Sequence, residues 1–337
     1  MRSRCSLLAS TAFALLLSSP VHAQNANVAE DGAIFLLVPV GGRAAALGQA
    51  AVADFGSSEQ VFWNPAGLAS MRRGEVAVHH SQTFVSSNTA LSAVIPTGSL
   101  GTIAFTAYLV DFGSQSVRQV SDGGVTGLFS PKNIELLGTY ATRVIGDLSF
   151  GVNYKLIQFR QDCSGDCAQF PSITGTTHGV DLGLQYGVGG DDGPLRIGVA
   201  LLHAGFKLQL ENSDQADPLP TRLQYGIAYK LQLPVPDSTM QPLDARFLID
   251  VQNDWDDLAS YDVRVGVELG YGDLIRLRSG YASVNKLFEN TDEETGARGP
   301  SVGIGVQLGR VSVDFSRIFF DSANFDEPVY IGIRADF

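Results

Sequence analysis

The sequence has little charge and, after its first segment, no long apolar run. Only 17% of the 337 residues are charged, and the formal net charge is −12. This negative balance excludes binding to nucleic acid through a basic surface. Beyond residue 23, no apolar run reaches the roughly 20 residues that a membrane-spanning helix needs. Yet 45% of the residues are hydrophobic, so the apolar residues are dispersed, which is typical of alternating strands.

The chain begins like a secreted protein. Arg2 and Arg4 precede an apolar core over 7–17, and the small residues of 21–23 form a cleavage site. This order is typical of a signal peptide, so residues 1–23 are excluded from the fold.

Cysteine is scarce, with three residues in the whole chain. Cys5 lies in the signal peptide and follows Arg4, a context that does not fit a lipid anchor. Cys163 and Cys167 remain in an oxidising compartment, where we predict that they form a structural disulfide in an outer loop.

Alternation of apolar and polar residues predicts an all-β chain of fourteen strands. It is clearest over 261–269, and it slips over 133–146, where a bulge would explain the change. An even count is what a closed antiparallel barrel of the bacterial outer membrane requires, and a β-sandwich is the alternative. The predicted strands are 74–83, 88–97, 100–113, 133–146, 147–161, 176–190, 194–206, 220–233, 244–256, 260–272, 273–285, 300–309, 310–320 and 327–337.

The predicted connections favour the barrel over the sandwich. Short turns alternate with long polar loops, as in barrels with short periplasmic turns and long extracellular loops. The exception is 234–243, which is long for a turn. The turns are 97–100, 145–148, 189–193, 271–274 and 309–310, and the loops are 114–132, 162–175, 207–219 and 286–299.

The chain ends on Phe337, after apolar residues at every second position from Val329. Such an ending resembles the C-terminal signal that the barrel-assembly machinery reads, although soluble edge strands also end in this way. We therefore predict that residues 74–337 form the barrel and that the assembly machinery is a partner.

Residues 24–73 do not alternate like barrel strands. They are apolar and rich in Gly and Ala, and the barrel lumen is where such a segment can be buried. We predict that they form a plug. The Gly-rich stretch at 41–48 lacks the Gly-Lys-Ser/Thr ending of a phosphate loop, so no nucleotide or other cofactor is predicted.

The plug segment, fourteen strands and terminal Phe together resemble the FadL-type superfamily of outer-membrane proteins, and within it the PorV/PorQ branch. The resemblance implies a fourteen-stranded barrel plugged by its N-terminal segment. PorV proteins receive cargo in type IX secretion, whereas FadL proteins pass hydrophobic compounds inward. The motif residues are Gly41, Gly42, Gly48, Trp63, Asn64, Pro65, Ala66 and Gly67.

Two functions follow from this resemblance. The first is a surface docking or export component of a type IX-like secretion pathway, with secreted cargo as partner. The alternative is a channel for hydrophobic small molecules. Either would place the protein in the outer membrane, in contact with lipid and lipopolysaccharide, with long loops extracellular and termini periplasmic.

Alternation predicts that charged side chains line the lumen and that neighbouring strands set opposite charges face to face. We expect a self-satisfied charge ladder; a polar substrate path and an apolar pocket between plug and wall are the alternatives. The predicted lumen-facing charges are Arg222, Lys230, Arg246, Asp250, Arg264, Glu268, Arg276, Arg278, Asp314, Arg334 and Asp336.

An enzymatic interpretation rests on His79 and Ser81, which share a face of the first strand with Glu75. In lipid A deacylases a His activates a Ser at this spacing. Here the alternation turns both side chains inward, away from lipid, so we predict a non-enzymatic protein and keep deacylation as a minor alternative. His178 and His203 lie apart, so no metal site is predicted.

Overall fold

Alternating residues form long antiparallel strands in the computed structural model of the protein. It describes residues 31–118, 124–166, 172–190, 193–211, 216–235, 241–283, 299–319 and 327–337. Fifteen of the described strands form one sheet, and fourteen of these make up the closed ring. They are β1 Glu75–Gln82, β2 Ser87–Pro96, β3 Thr102–Asp111, β4 Val125–Ile145, β5 Leu148–Gly165, β6 Ile173–Val188, β7 Leu195–Gly205, β8 Arg222–Leu233, β9 Leu243–Asp254, β10 Tyr261–Tyr271, β11 Ile275–Ser283, β12 Gly299–Leu308, β13 Val311–Ile318 and β14 Val329–Asp336.

The sheet closes on itself. Each strand pairs with its sequence neighbours, and β1 also pairs with β14 over the full length of both strands. Every pairing is antiparallel, and closure leaves no exposed sheet edge around the ring. The predicted fourteen-stranded barrel with an N-terminal segment inside it is confirmed.

The β4–β5 hairpin differs from the prediction. β4 begins at Val125, eight residues before the predicted start, and a further short strand, Gln115–Arg118, pairs with it. The loops predicted at 114–132 and 162–175 are therefore partly wrong, because both include strand residues. Backbone pairing continues here without the apolar alternation on which the prediction depended. The β4–β5 pairing shifts register at Arg143–Ile145, whereas the β3–β4 pairing has no shift.

The two ends of the barrel have different connections. One end, called the turn end, carries the tight connections 97–101, 146–147, 272–274 and 309–310. The opposite end, called the loop end, carries longer ones, including 206–221, which contains a small hairpin of Leu208–Gln209 and Ala216–Asp217. Most of the predicted loop 286–299 and half of the exceptional turn 234–243 lie outside the described residues.

The outer surface of the wall is apolar and the inner surface is polar. Along β10, Val265, Val267 and Leu269 are exposed on the outside, whereas Arg264 and Glu268 are buried on the inside. Tyrosines near both ends of the strands flank the apolar belt, an arrangement typical of outer-membrane barrels. They are Tyr140, Tyr186, Tyr229 and Tyr271 toward the turn end, and Tyr225, Tyr261 and Tyr281 toward the loop end.

Residues 31–74, called the plug, fill the lumen with short helices. These are two 3₁₀ helices, Ile34–Leu37 and Pro65–Ser70, and two α-helices, α1 Gly42–Ala46 and α2 Gln60–Trp63. None of the helices in the described part of the chain has the length and apolar character needed to cross a membrane. Most of the plug is buried, above all residues 40–54 and 57–68, so its short elements depend on the wall for their partners.

Candidate functional site

Charged groups fasten the plug at the turn-end half of the lumen. The Arg43 guanidinium, on α1, pairs with the plug's own Asp54 and with Glu268 of β10 at 3.1 Å. Arg278 lies 2.6 Å from the same Glu268 and 2.5 Å from Asp314. These contacts join the plug to three strands. The set is called the turn-end network and comprises Arg43, Asp54, Arg246, Glu268, Arg278, Asp314 and Arg334.

The wall side of this network agrees with the predicted charge ladder, since Glu268 and Arg278 face each other directly across β10 and β11. The sequence prediction missed Arg43 and Asp54, which enter the network from the plug. Burial disfavours the charged form of Arg43, but Asp54 and Glu268 outweigh this effect and raise its pKa. The sequence feature that could have predicted this contact is Arg43 itself, a charged residue in an otherwise apolar stretch.

Glu59 fixes the start of α1. Its carboxylate accepts hydrogen bonds from the backbone amides of Arg43 at 3.3 Å and Ala44 at 2.9 Å. Those amides have no partner within so short a helix, and a carboxylate at a helix start satisfies them. Burial raises the pKa of Glu59, although Arg334 opposes the shift. The glycines at 41 and 42 let this carboxylate and Asp314 approach closely.

Wall side chains satisfy the irregular backbone of the plug. Asp250 accepts hydrogen bonds from the amides of Ala51 at 2.6 Å and Val52 at 2.8 Å. Gln185 donates to the carbonyl of Val52, and Asn153 donates to the carbonyl of Val61. Because buried backbone groups without partners are costly, these polar wall residues allow a segment with little regular structure to stay buried.

Two wall glycines let the plug approach the sheet backbone. A side chain at Gly280 would clash with the backbone of Gly48, and one at Gly183 would clash with the Asn64 amide oxygen. Gly48 itself has a φ of 63°, a conformation that glycine adopts at little cost. The plug therefore packs directly on the strand backbone at these points.

The predicted motif at Trp63 to Gly67 forms the bend between α2 and the following 3₁₀ helix. Trp63 is 6% exposed, and its indole N–H donates to the Val40 carbonyl at 3.0 Å. The Asn64 side chain accepts from the Ala66 amide at 3.1 Å and donates to the Val52 carbonyl at 2.8 Å. Pro65 starts the 3₁₀ helix, and Ala66 and Gly67 are buried in it.

Apolar side chains fill part of the loop-end half of the lumen. Phe35 and Leu36 of the plug pack against residues of β2, β3 and β5 and against Leu219 of the β7–β8 connection. This set is called the loop-end cluster and comprises Phe35, Leu36, Val40, Ala90, Tyr108, Val110, Ile157 and Leu219. Phe62 packs against its edge, with its ring 5.8 Å from that of Tyr108.

A small polar cavity adjoins the loop-end cluster. Its volume is about 10 Å³, and its lining includes His79, Ser81, Asn88, Tyr108 and Tyr330. His79 and Ser81 face the lumen, as the alternation predicts, but the Ser81 hydroxyl accepts from Asn88 at 3.1 Å.

Glu75 does not line that cavity. Its carboxylate accepts a hydrogen bond from the Ser58 amide at 2.8 Å. Neither ring nitrogen of His79 has a hydrogen-bond partner among the described residues. The three residues of the deacylase alternative are therefore not joined in a hydrogen-bonded triad in the described part of the chain.

A second buried charge cluster lies in the wall. The Lys155 ammonium is 3.0 Å from Glu135 and 2.9 Å from Asp181, and it also contacts His203. Asp181 accepts from the His203 amide, at the register shift between β6 and β7. The described residues contain no group of three or more metal-ligating side chains placed to hold an ion.

Two further predicted residues, Phe337 and Cys163, lie in the described part of the chain. Phe337 is 61% exposed and its amide donates to the Gly74 carbonyl at 2.9 Å. Cys163 lies in β5 rather than in a loop, and it is disulfide-bonded. Cys167, its predicted partner, lies outside the described residues.

The fold is similar to that of several solved channels. CymD, a monoaromatic hydrocarbon channel, is 15% identical with a TM-score of 0.57, over 89% of this chain and 98% of that one. The toluene transporter TodX of Pseudomonas putida is 12% identical with a TM-score of 0.55, over 87% and 97%. A FadL homologue of Pseudomonas aeruginosa is 12% identical with a TM-score of 0.50, over 89% and 99%. Such low identities show the fold alone.

The amino-acid sequence gives a family assignment. No curated protein sequence matches the chain significantly. Residues 8–217, more than half of the chain, match the model of UPF0164, which is described as an uncharacterised protein family. The protein thus has a β-barrel fold similar to that of the FadL homologue, and by sequence it belongs to the UPF0164 family.

Proposed function

We propose that the protein is a channel for hydrophobic small molecules, held here in a closed state by its plug. The observation that carries the proposal is the loop-end cluster, an apolar region at the end of the lumen opposite the turn-end network. The plug contributes Phe35, Leu36 and Val40 to this cluster. If these apolar side chains leave the region, they create an apolar cavity of similar size. Apolar cavities stay dry and bind hydrocarbons, so an apolar ligand can occupy it.

The structural relatives support this choice over a secretion role. CymD and TodX carry monoaromatic hydrocarbons and toluene by name, and both share the fold of this chain. In the proposed mechanism, residues 31–40 move and expose the loop-end cluster, while the turn-end network holds the rest of the plug. No enzymatic step is part of this proposal.

Uptake of radiolabelled toluene by cells that produce the full-length protein tests the proposal. Phe35→Ala should raise the initial uptake rate, because it weakens the contact that fills the apolar region. Ile34→Ala is the matched control, since Ile34 belongs to the same short helix but is 56% exposed. Uptake that equals that of cells without the protein, for the wild type and Phe35→Ala alike, would refute the channel.

The second candidate is the docking component of a type IX-like pathway, in the PorV/PorQ branch. The supporting observation is a set of exposed apolar residues in loop-end connections, which would suit contact with secreted cargo. The residues are Phe84, Val85, Phe206, Trp255 and Leu258. Replacing them with Ser should abolish cargo retention at the surface under this hypothesis, but should leave toluene uptake unchanged under the channel hypothesis.

Both candidates keep the predicted setting. The long connections would be extracellular, lipid and lipopolysaccharide would surround the apolar belt, and the assembly machinery would recognise the C-terminal strand. A peptide tag inserted within 286–299 should then be labelled on intact cells, and one within 234–243 should not. Labelling of the tag within 234–243 on cells that have not been permeabilised would contradict this orientation.

A further inference from the structure

The small cavity beside the loop-end cluster is lined by buried polar atoms that lack partners. The Tyr108 hydroxyl, the Asn88 amide oxygen and both ring nitrogens of His79 have no hydrogen-bond partner among the described residues. All three side chains are at least 97% buried. Buried polar groups are nearly always satisfied in native proteins, so an unsatisfied cluster points to a bound group.

The cavity and the loop-end cluster are continuous in structure. Tyr108 and Val40 belong to both, so a polar group in the cavity would lie next to the apolar region that Phe35 and Leu36 fill. A volume of about 10 Å³ accommodates one water-sized group. The site therefore fits a molecule with one small polar group and an apolar body.

The charges around the cavity disfavour an anion. The Glu59 carboxylate lies 3.8 Å from the His79 ring, and no described Lys or Arg lines the cavity. Arg334, which acts electrostatically on His79, is already 2.7 Å from Asp314. Burying a second carboxylate beside Glu59 without a free cation would be costly. A neutral hydroxyl can both donate to and accept from the unpartnered atoms.

We propose that His79, Asn88 and Tyr108 bind the hydroxyl group of a neutral, hydroxylated hydrophobic molecule whose apolar body replaces Phe35 and Leu36. The inference rests on the proposed channel function and narrows its substrate class. Pure hydrocarbons would enter the same apolar region without satisfying the polar atoms. Fatty acids would bring an anion to a site that already faces Glu59.

Binding of three probes of equal chain length tests the inference. Octan-1-ol, octanoate and octane are titrated into the folded full-length Phe35→Ala barrel held in amphipol. Octan-1-ol should bind about tenfold more tightly than octane, the effect of one net buried hydrogen bond, and more tightly than octanoate. Adding Tyr108→Phe should remove this preference and leave octane affinity unchanged. Tyr140→Phe is the matched control, because its hydroxyl faces outward and donates to Leu100.

Each other outcome overturns the inference. Equal affinity for octan-1-ol and octane, or no effect of Tyr108→Phe, would mean that the cavity binds water only. Tighter binding of octanoate than of octan-1-ol would show that the cavity prefers a carboxylate. Absence of binding for all three probes would show that the cavity is not a ligand site. The channel proposal fails separately, when toluene uptake is absent although octan-1-ol binds.

Discussion

Apolar clusters pack against both halves of the plug, but the buried network of ion pairs lies at the turn-end half. At the turn end, Arg43 joins a buried set of ion pairs with Glu268 and its wall partners. At the loop end, Phe35 and Leu36 pack among apolar side chains, and Asp31 adds a partly exposed ion pair with Arg222 at 2.9 Å. A buried ion pair is costly to break, because its removal leaves an uncompensated charge. An apolar contact can be exchanged for a ligand of similar shape, so the loop-end half is the part suited to opening.

The largest expected effect comes from breaking the turn-end network. Asp314 lies 2.5 Å from Arg278 and 2.7 Å from Arg334, and it is buried. Asp314→Asn should lower the free energy of unfolding by about 3–5 kcal/mol, since two guanidiniums lose their shared carboxylate. Urea unfolding followed by tryptophan fluorescence measures this loss. Asp273→Asn is the control, because Asp273 is fully exposed and should have no measurable effect.

Phe35→Ala should act locally at the loop end. Truncating this buried ring should lower the free energy of opening for residues 31–40 by about 3 kcal/mol, at the low end for such a change. Hydrogen exchange should show faster exchange of those amides, with residues 41–70 unchanged because the network still holds them. Equal acceleration of both ranges would mean that the plug opens as one unit, contrary to the comparison of the halves.

Trp63→Phe sharpens the boundary between the halves. The indole N–H donates to the carbonyl of Val40, a residue of the loop-end cluster. Loss of this bond should cost about 1 kcal/mol, seen as faster exchange over residues 38–42. Trp255→Phe, in an exposed loop-end position, is the control and should leave those amides unchanged. An unchanged rate in Trp63→Phe would show that the bond does not couple the halves.

The smallest effect on stability is expected outside both halves. Phe337 is mostly exposed at the turn end, so Phe337→Asp should change the unfolding free energy by about 1 kcal/mol or less. If Phe337 is the assembly signal, the amount of heat-modifiable barrel in the outer membrane should nevertheless fall in this variant. An unchanged amount of folded protein would contradict the prediction that Phe337 is the assembly signal.

The barrel could be predicted from the sequence because a wall with an apolar outer surface and a polar inner surface enforces alternation along its strands. The N-terminal extension of β4 could not be predicted, since its backbone pairing does not require alternation of apolar and polar residues. The plug's location followed from its apolar composition. The contacts of the plug could not be predicted in this way. Arg43 and Glu268 are 225 residues apart in the sequence. The sequence alone also does not show that Gly280 contacts the backbone of Gly48. The polar cavity is lined by residues of four strands and of the plug, so it could not be predicted from the sequence either.

The conductance of deletion variants in planar bilayers tests the central claim, that the plug closes the barrel in two separable halves. Deleting residues 32–69 should produce a large new conductance, because wall side chains alone do not fill a fourteen-stranded barrel. Deleting only residues 32–40 should leave the conductance near that of the intact protein, since the turn-end network remains. Equal conductance in the intact protein and the full deletion would contradict the account.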